Sequence, residues 1–222
     1  DTALQLAEAG GHAAIAELLQ QHATKPPACV ATLLPHEVCN AAHSGELQPV
    51  IEWLQKGGYV GALDGNGCGL LHAAAAGGRL RVAKELLQRG ASVDLRGTMG
   101  TTALMLAAAE GKHAMVRLLL EHKVSIDLQN AERLTALMLA ADESHRECVQ
   151  ELLQAGASTE LRGRDGITAL EAAEARGHAA IAQLIRQHAA TQPRERDMSL
   201  PHEVAVAAHR GELQPVIEWL GK

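Results

Sequence analysis

"TALMLAAAEGK" runs from Thr102 to Lys112, and "TALMLAADESH", Thr135 to His145, begins 33 residues later. "GLLHAAAAGGR" at Gly69 and "TALEAAEARGH" at Thr168 fall on the same 33-residue step. "HEVCNAAHSGE" at His36 enters the frame, and "TALQLAEAGGH" at Thr2 and "HEVAVAAHRGE" at His202 extend it outward through steps of 34. Self-similarity at a fixed short period marks a repeat array, in which each unit buries its apolar face only by stacking on its neighbours. Seven units fill the 222 residues, the first and last truncated.

Each unit carries the same local signals. The Thr at its head is a natural N-cap, whose hydroxyl accepts from a backbone N–H that the helix itself cannot satisfy. In the unit at Thr102, Leu104, Ala107 and Ala108 form one apolar face at helical spacing, and Gly111 ends the helix. A second helix is expected near His113–His122, with Val116, Leu119 and Leu120 on its buried side. "KVSIDLQNAER" then returns the chain, as "GASVDLRGTMG" and "GASTELRGRDG" do elsewhere. Alternation of Val93 with Leu95, and of Ile126 with Leu128, predicts a small β-hairpin with a turn-rich tip. Hydrophobic residues make up 47% of the chain, yet aromatic residues only 1%, with no Phe. A core of Ala, Leu, Ile and Val suits thin helices packed closely over Ala-rich faces.

This pattern resembles the ankyrin repeat family over essentially the whole chain. The family text, G-x-T-P-L-H-L-A-A-x-x-G-H, survives as "GTTALMLAAAEGK" and "GITALEAAEARGH". Departures are local: Ala replaces Pro in most units, the family His survives only as His72, Arg133 replaces the hairpin Gly, and Ser144 replaces the inter-helix Gly. The resemblance implies an all-α repeat solenoid of helix–turn–helix units joined by short β-hairpin loops. It also implies that His12, His145 and His178, at the starts of second helices, bond backbone between repeats.

A larger period overlies the small one. "GELQPVIEWL" occurs at Gly45–Leu54 and again at Gly211–Leu220, and residues 2–56 match 168–222 at about two thirds of positions. The 166-residue offset equals five repeats. Its long steps coincide with the Pro-containing loops "ATKPPACVATL" and "AATQPRERDMS". We therefore expect residues 1–33 to be a truncated repeat with a junction loop, 34–190 a five-repeat block, and 191–222 a junction loop with the head of the next block. One continuous solenoid is expected. The start at Asp1 without Met points to a longer parent chain.

The formal net charge of −6 opposes nucleic acid and anionic membranes as general partners. No apolar run approaches the ~18 residues of a membrane span. Cys29, Cys39, Cys68 and Cys148 form no CxxC pair and no regular framework, which fits free thiols in a reducing compartment, the cytoplasm or nucleus. His36, Cys39 and His43 share a helix face at i, i+3, i+7, a spacing open to a soft metal. The copied unit keeps His202 and His209 but has Ala205 in place of Cys39, which argues against a required ligand set. "GNGCG" (Gly65–Gly69) lacks the strand and the Gly-Lys-Ser/Thr of a phosphate loop. No catalytic or cofactor motif appears. Trp53 and Trp219 take a second-helix place filled by Leu119 and Leu152 elsewhere, so both are expected in the core.

By its resemblance the chain should bind on the concave side, formed by hairpin tips and the exposed ends of first helices. Carried over position by position, that surface comprises His43 and Ser44; Asn66 and Cys68; Met99, Thr101 and Glu110; Glu132, Leu134, Asp142 and Glu143; and Arg164, Asp165, Ile167 and Arg176. The fourth and fifth units are acidic there, and Arg164 and Arg176 reverse the sign in the sixth. The expected function is a non-catalytic scaffold for a partner protein or peptide that presents Lys or Arg to the acidic repeats. The alternative is a structural array in which blocks stack end to end.

Overall fold

The computed structural model describes residues 33–191, and within them the expected units appear as five helix pairs. In chain order these are α1 (His36–Ser44) with α2 (Leu47–Gln55), α3 (Leu70–Gly77) with α4 (Leu80–Gln88), and α5 (Ala103–Ala109) with α6 (His113–Glu121). α7 (Ala136–Asp142) with α8 (Arg146–Gln154) and α9 (Ala169–Ala175) with α10 (Ala179–Thr191) follow. The truncated outer units, with Cys29, His12 and Trp219, lie outside the described residues, as does the course of both junctions.

The caps anticipated from sequence form. Thr102, Thr135 and Thr168 each accept, through the side-chain oxygen, the N–H of the residue three further on (Met105, Met138 and Glu171). Glu171 completes a capping box by accepting the Thr168 N–H at 2.8 Å. In the third repeat Gly69 has no side chain to offer, and His72 reaches back to accept the Gly69 N–H at 3.2 Å.

Packing repeats with the sequence period. Ala41, Ala74, Ala107, Ala140 and Ala173, spaced by 33, are all buried, and these small side chains let first helices stack directly on one another. Leu86, Leu119, Leu152 and Ile185 form a fully buried column along the second helices, each stabilised by about 1.5–3 kcal/mol relative to exposure. Leu120, expected inside, is only half-buried, whereas Met115 and Leu118 are buried. α6 packs against α5 and also against α4 and α8, which widens and turns its apolar stripe. Trp53, which takes the Leu119 place in α2, is half-buried rather than enclosed. Its indole exceeds the Leu-sized slot, and Gly58 lies so close over the ring that a Cβ there would fall 2.4 Å from it.

The loops are hairpin-shaped but shorter than the alternation of Val93 and Leu95 predicted. One backbone bond spans the base of each, Asp64 N–H to Cys68 O, Gly97 to Thr101, Asn130 to Leu134 and Gly163 to Ile167, over a tight turn closed by Gly67 N–H to Asp64 O and its counterparts. No strand forms among the described residues, and one isolated bridge joins Leu63 to Gly69. Donors that a longer hairpin would pair across itself go to the neighbouring tip instead. Thr98 N–H donates to Gly67 O, Ala131 to Met99 O and Arg164 to Glu132 O. The tips are thereby tied into a row.

A second line of ties runs along the helix pairs. His145 Nε2 donates to Ala109 O at 2.8 Å and His178 Nε2 to Asp142 O at 3.0 Å, the inter-repeat bonds that the resemblance implied. Arg79 occupies the same register in the third repeat and reaches His43 O through Nε at 2.9 Å. Left-handed backbone recurs at the turns, and Lys123 (φ 57°), Arg133 (φ 60°) and Ser144 (φ 64°) adopt it where the other repeats have Gly. The strain of a Cβ in that region is accepted at these three sites.

Candidate protein-docking surface

The sequence-predicted residues fall into rows that cross the repeats at the 33-residue step. Asn66, Met99, Glu132 and Asp165 crown the four tips, all exposed. Cys68, Thr101, Leu134 and Ile167 lie just below, where each tip closes, the first three partly buried and Ile167 38% exposed. Glu110, Glu143 and Arg176 sit at the ends of first helices, with Ser44 in the same row, and Asp142 lies one residue before Glu143. His43 and Ser44 are exposed at the end of α1. This surface follows from the fold, because tip geometry and helix termination repeat in every unit.

Between the fifth and sixth repeats the rows enclose a groove of about 330 Å³. It joins five of the predicted residues, Leu134, Asp142, Asp165, Ile167 and Arg176. Met138, Leu139, Thr168, Ala172 and Ala175 complete the lining and were not anticipated. Their signal was available: Ala172 and Ala175 are small residues on the side of α9 that faces α7, leaving space that Leu134 and Ile167 only partly fill. His43, Ser44, Asn66, Cys68, Met99, Thr101, Glu110, Glu132, Glu143 and Arg164 lie outside this groove, strung along the rows.

The electrostatics differ from a simple alternation of acidic and basic repeats. Arg176 clasps Asp142 from the next repeat in a bidentate pair, Nε to Oδ1 and Nη2 to Oδ2, both 2.8 Å. Asp142 is thus held twice by the sixth repeat, since its carbonyl also accepts from His178. The pair is mutually neutralising, so neither partner stands as a lone charge on the wall. Asp165 Oδ1 accepts the Ile167 N–H at 3.1 Å, which fixes the carboxylate on the rim. Glu110, Glu132, Glu143 and Asp165 enter no ion pair among the described residues. The unpaired carboxylates thus lie on the rim and the tips, beside the exposed cations Arg133 and Arg164, while the groove itself is apolar with a closed ion pair.

The other clusters weighed from sequence separate in space. His36 Nδ1 approaches Asp64 Oδ2 at 4.0 Å from an exposed position, and Cys39 turns inward to Cys68. Among the described residues no three His, Cys, Asp or Glu side chains are grouped to hold a metal ion. His72 is a structural residue. It is buried with Nδ1 accepting from Gly69, so Nε2 carries the proton and donates to Leu95 O at 3.0 Å and Thr101 O at 3.1 Å. Burial lowers its pKa, against the smaller opposing effect of the two carbonyls. None of the helices described is long and apolar enough to cross a membrane.

A family model described as "Ankyrin repeats (3 copies)" matches residues 38–130 and 122–197. No curated protein matches the chain.

Proposed function

Because the chain belongs to the ankyrin repeat family, whose repeats generally mediate protein–protein interaction, we propose that it is a non-catalytic scaffold holding an extended segment of a partner protein along its concave rows. The observation that carries this reading is the groove between the fifth and sixth repeats, apolar at Leu134, Met138 and Ile167 with the Asp165 carboxylate at its edge. A space of about 330 Å³ takes one or two apolar side chains, and burying a Leu- or Ile-sized group contributes about 1.5–3 kcal/mol. Asp165, Glu132 and Glu143 then meet Lys or Arg flanking that anchor, setting register and association rate more than affinity. The neutral Asp142–Arg176 pair forms a preset wall. Free thiols at Cys39, Cys68 and Cys148 suit a reducing compartment such as the cytoplasm or nucleus.

Panning a displayed library of random peptides on the purified chain tests the reading. The expected consensus is an apolar residue beside one or more basic residues, with binding lost in Ile167→Asp and Leu134→Asp. Enrichment of acidic peptides, or peptides that bind both variants as well as the parent, contradicts it.

The recurrence of residues 2–56 at 168–222, five repeats further on, favours a second role, end-to-end stacking of blocks into an array. Sedimentation velocity across a wide concentration range separates the two. A mass that climbs with concentration supports stacking, and a constant monomer removes it.

A further inference from the structure

We propose that Cys39 and Cys68 form a redox-active dithiol that closes reversibly into a disulfide between the second and third repeats. Cys39 projects from α1 and Cys68 from the tip that precedes α3, and the Cys39 thiol points at the Cys68 sulfur across 3.7 Å. A disulfide needs about 2.0 Å between sulfurs and no large backbone shift when the side chains already face each other. Here the two sulfurs are in contact. The Cys68 backbone is anchored by Asp64, whose Oδ1 accepts its N–H at 2.8 Å and whose N–H donates to its carbonyl at 2.8 Å. The tip thus holds Cys68 opposite α1.

The two thiols have different tasks. Cys68 is partly exposed and Cys39 is 6% exposed, so an oxidant in solution meets Cys68 first. The Cys39 S–H stabilises a Cys68 thiolate and lowers the Cys68 pKa, working against burial and the Asp64 charge. Cys39 is raised by that same contact, with burial adding to it, and so holds its proton until called on as the resolving thiol. Cys148 supplies a contrast within the same chain: it is buried, and burial with Glu147 and Glu151 pushes it up to about 11. The fold demands cysteine at neither site. Thr101, Leu134 and Ile167 fill the Cys68 register in the next three repeats, and Ala205 fills the Cys39 register in the copied unit.

With a hydroperoxide as oxidant the step balances. The Cys68 thiolate attacks one oxygen of hydrogen peroxide; the O–O bond breaks, leaving Cys68 sulfenic acid and a hydroxide that is protonated to water. The Cys39 sulfur gives up its proton and attacks the sulfenic sulfur, the S–S bond forms, the S–O bond breaks, and a second water leaves. Two thiols are oxidised by two electrons and one peroxide is reduced. A small dithiol reverses the reaction by exchange.

The test uses the full chain carrying Cys29→Ser, which leaves three thiols. Treatment with equimolar hydrogen peroxide is expected to remove two of those three thiols, lower the intact mass by two hydrogens, and yield a digest fragment linking Cys39 to Cys68. Dithiothreitol should restore all three. Adding Cys148→Ala should leave the link intact. Adding Cys39→Ala, a residue that the copied unit already carries at that register, should stop Cys68 at the sulfenic or sulfinic acid with no intramolecular link. Persistence of both thiols overturns the proposal. So does accumulation of Cys68 sulfinic acid beside a free Cys39, or a link found only between molecules.

Discussion

The face of tips and helix ends over the third repeat and that over the fifth and sixth share one backbone plan but carry opposite investments. At equivalent positions the third repeat presents Asn66, Cys68, Ala76 and Gly77, where the fifth presents Glu132, Leu134, Asp142 and Glu143. Apart from the exposed Asn66, the third repeat spends its side chains on internal contacts. His72 bonds three backbone groups, Cys68 meets Cys39, and Gly77 lies so close to α1 that a Cβ would fall 2.2 Å from the His43 carbonyl oxygen. In the fifth and sixth repeats, Leu134, Asp142, Asp165, Ile167 and Arg176 border a groove instead. Identical scaffolding thus serves cohesion at one place and, in the role proposed above, recognition at another.

That contrast can be broken by substitution. The largest stability effects are expected in the third repeat. His72→Ala strands the Gly69 N–H and the Leu95 and Thr101 carbonyls and opens a cavity, a loss of about 3 kcal/mol in chemical denaturation. Gly77→Ala forces α3 away from α1 and should cost about 1–3 kcal/mol in the same assay. Ile167→Asp, by contrast, alters a groove side chain that is 38% exposed, and its unfolding free energy should stay within about 0.5 kcal/mol of the parent. Equal destabilisation at Gly77 and Ile167 would erase the distinction.

Acid provides a gentler probe of the same third-repeat histidine. The folded state holds His72 below its ordinary value of 6.5, so the unfolded chain binds the proton more readily. Its stabilising contribution is complete above about pH 6.5 and declines as the pH falls below that value. Thermal unfolding should therefore show a lower midpoint at pH 5.5 than at pH 7.5, and His72→Gln should flatten that difference. An unchanged slope in the variant contradicts the assignment.

Ser144→Gly is expected to gain about 1 kcal/mol, because Gly removes the Cβ strain of a left-handed residue that other repeats place on Gly. The smallest effect belongs to the Asp142–Arg176 pair. Both partners are substantially exposed, so a double-mutant cycle should return a coupling below about 1 kcal/mol in stability.

Much of this architecture can be read from the amino-acid sequence alone. The Thr caps at 102, 135 and 168, the helix-ending Gly residues and the Ala columns are local signals that recur every 33 residues, and repetition multiplies a weak propensity into a firm reading. The rows of tips and helix ends are legible for the same reason, since one unit fixes the register of the rest. The Asp142–Arg176 pair is not, because it joins different positions of adjacent repeats, 34 residues apart, and depends on where two side chains reach rather than on where they start. The half-burial of Trp53 escapes such a reading because periodicity reports the place of a residue and not whether its volume fits. The Cys39–Cys68 contact escapes it for a related reason: a helix residue and a tip residue meet across an interface that no sequence spacing announces.

The central claim, that recognition belongs to the fifth and sixth repeats, is tested most directly by titrating one library-selected peptide against three proteins: the parent, Ile167→Asp and Asn66→Asp. The affinity should fall at least about tenfold, or ~1.4 kcal/mol, for Ile167→Asp and stay within about twofold for Asn66→Asp. A peptide indifferent to Ile167 but weakened at Asn66 would place the docking surface over the third repeat and contradict the account.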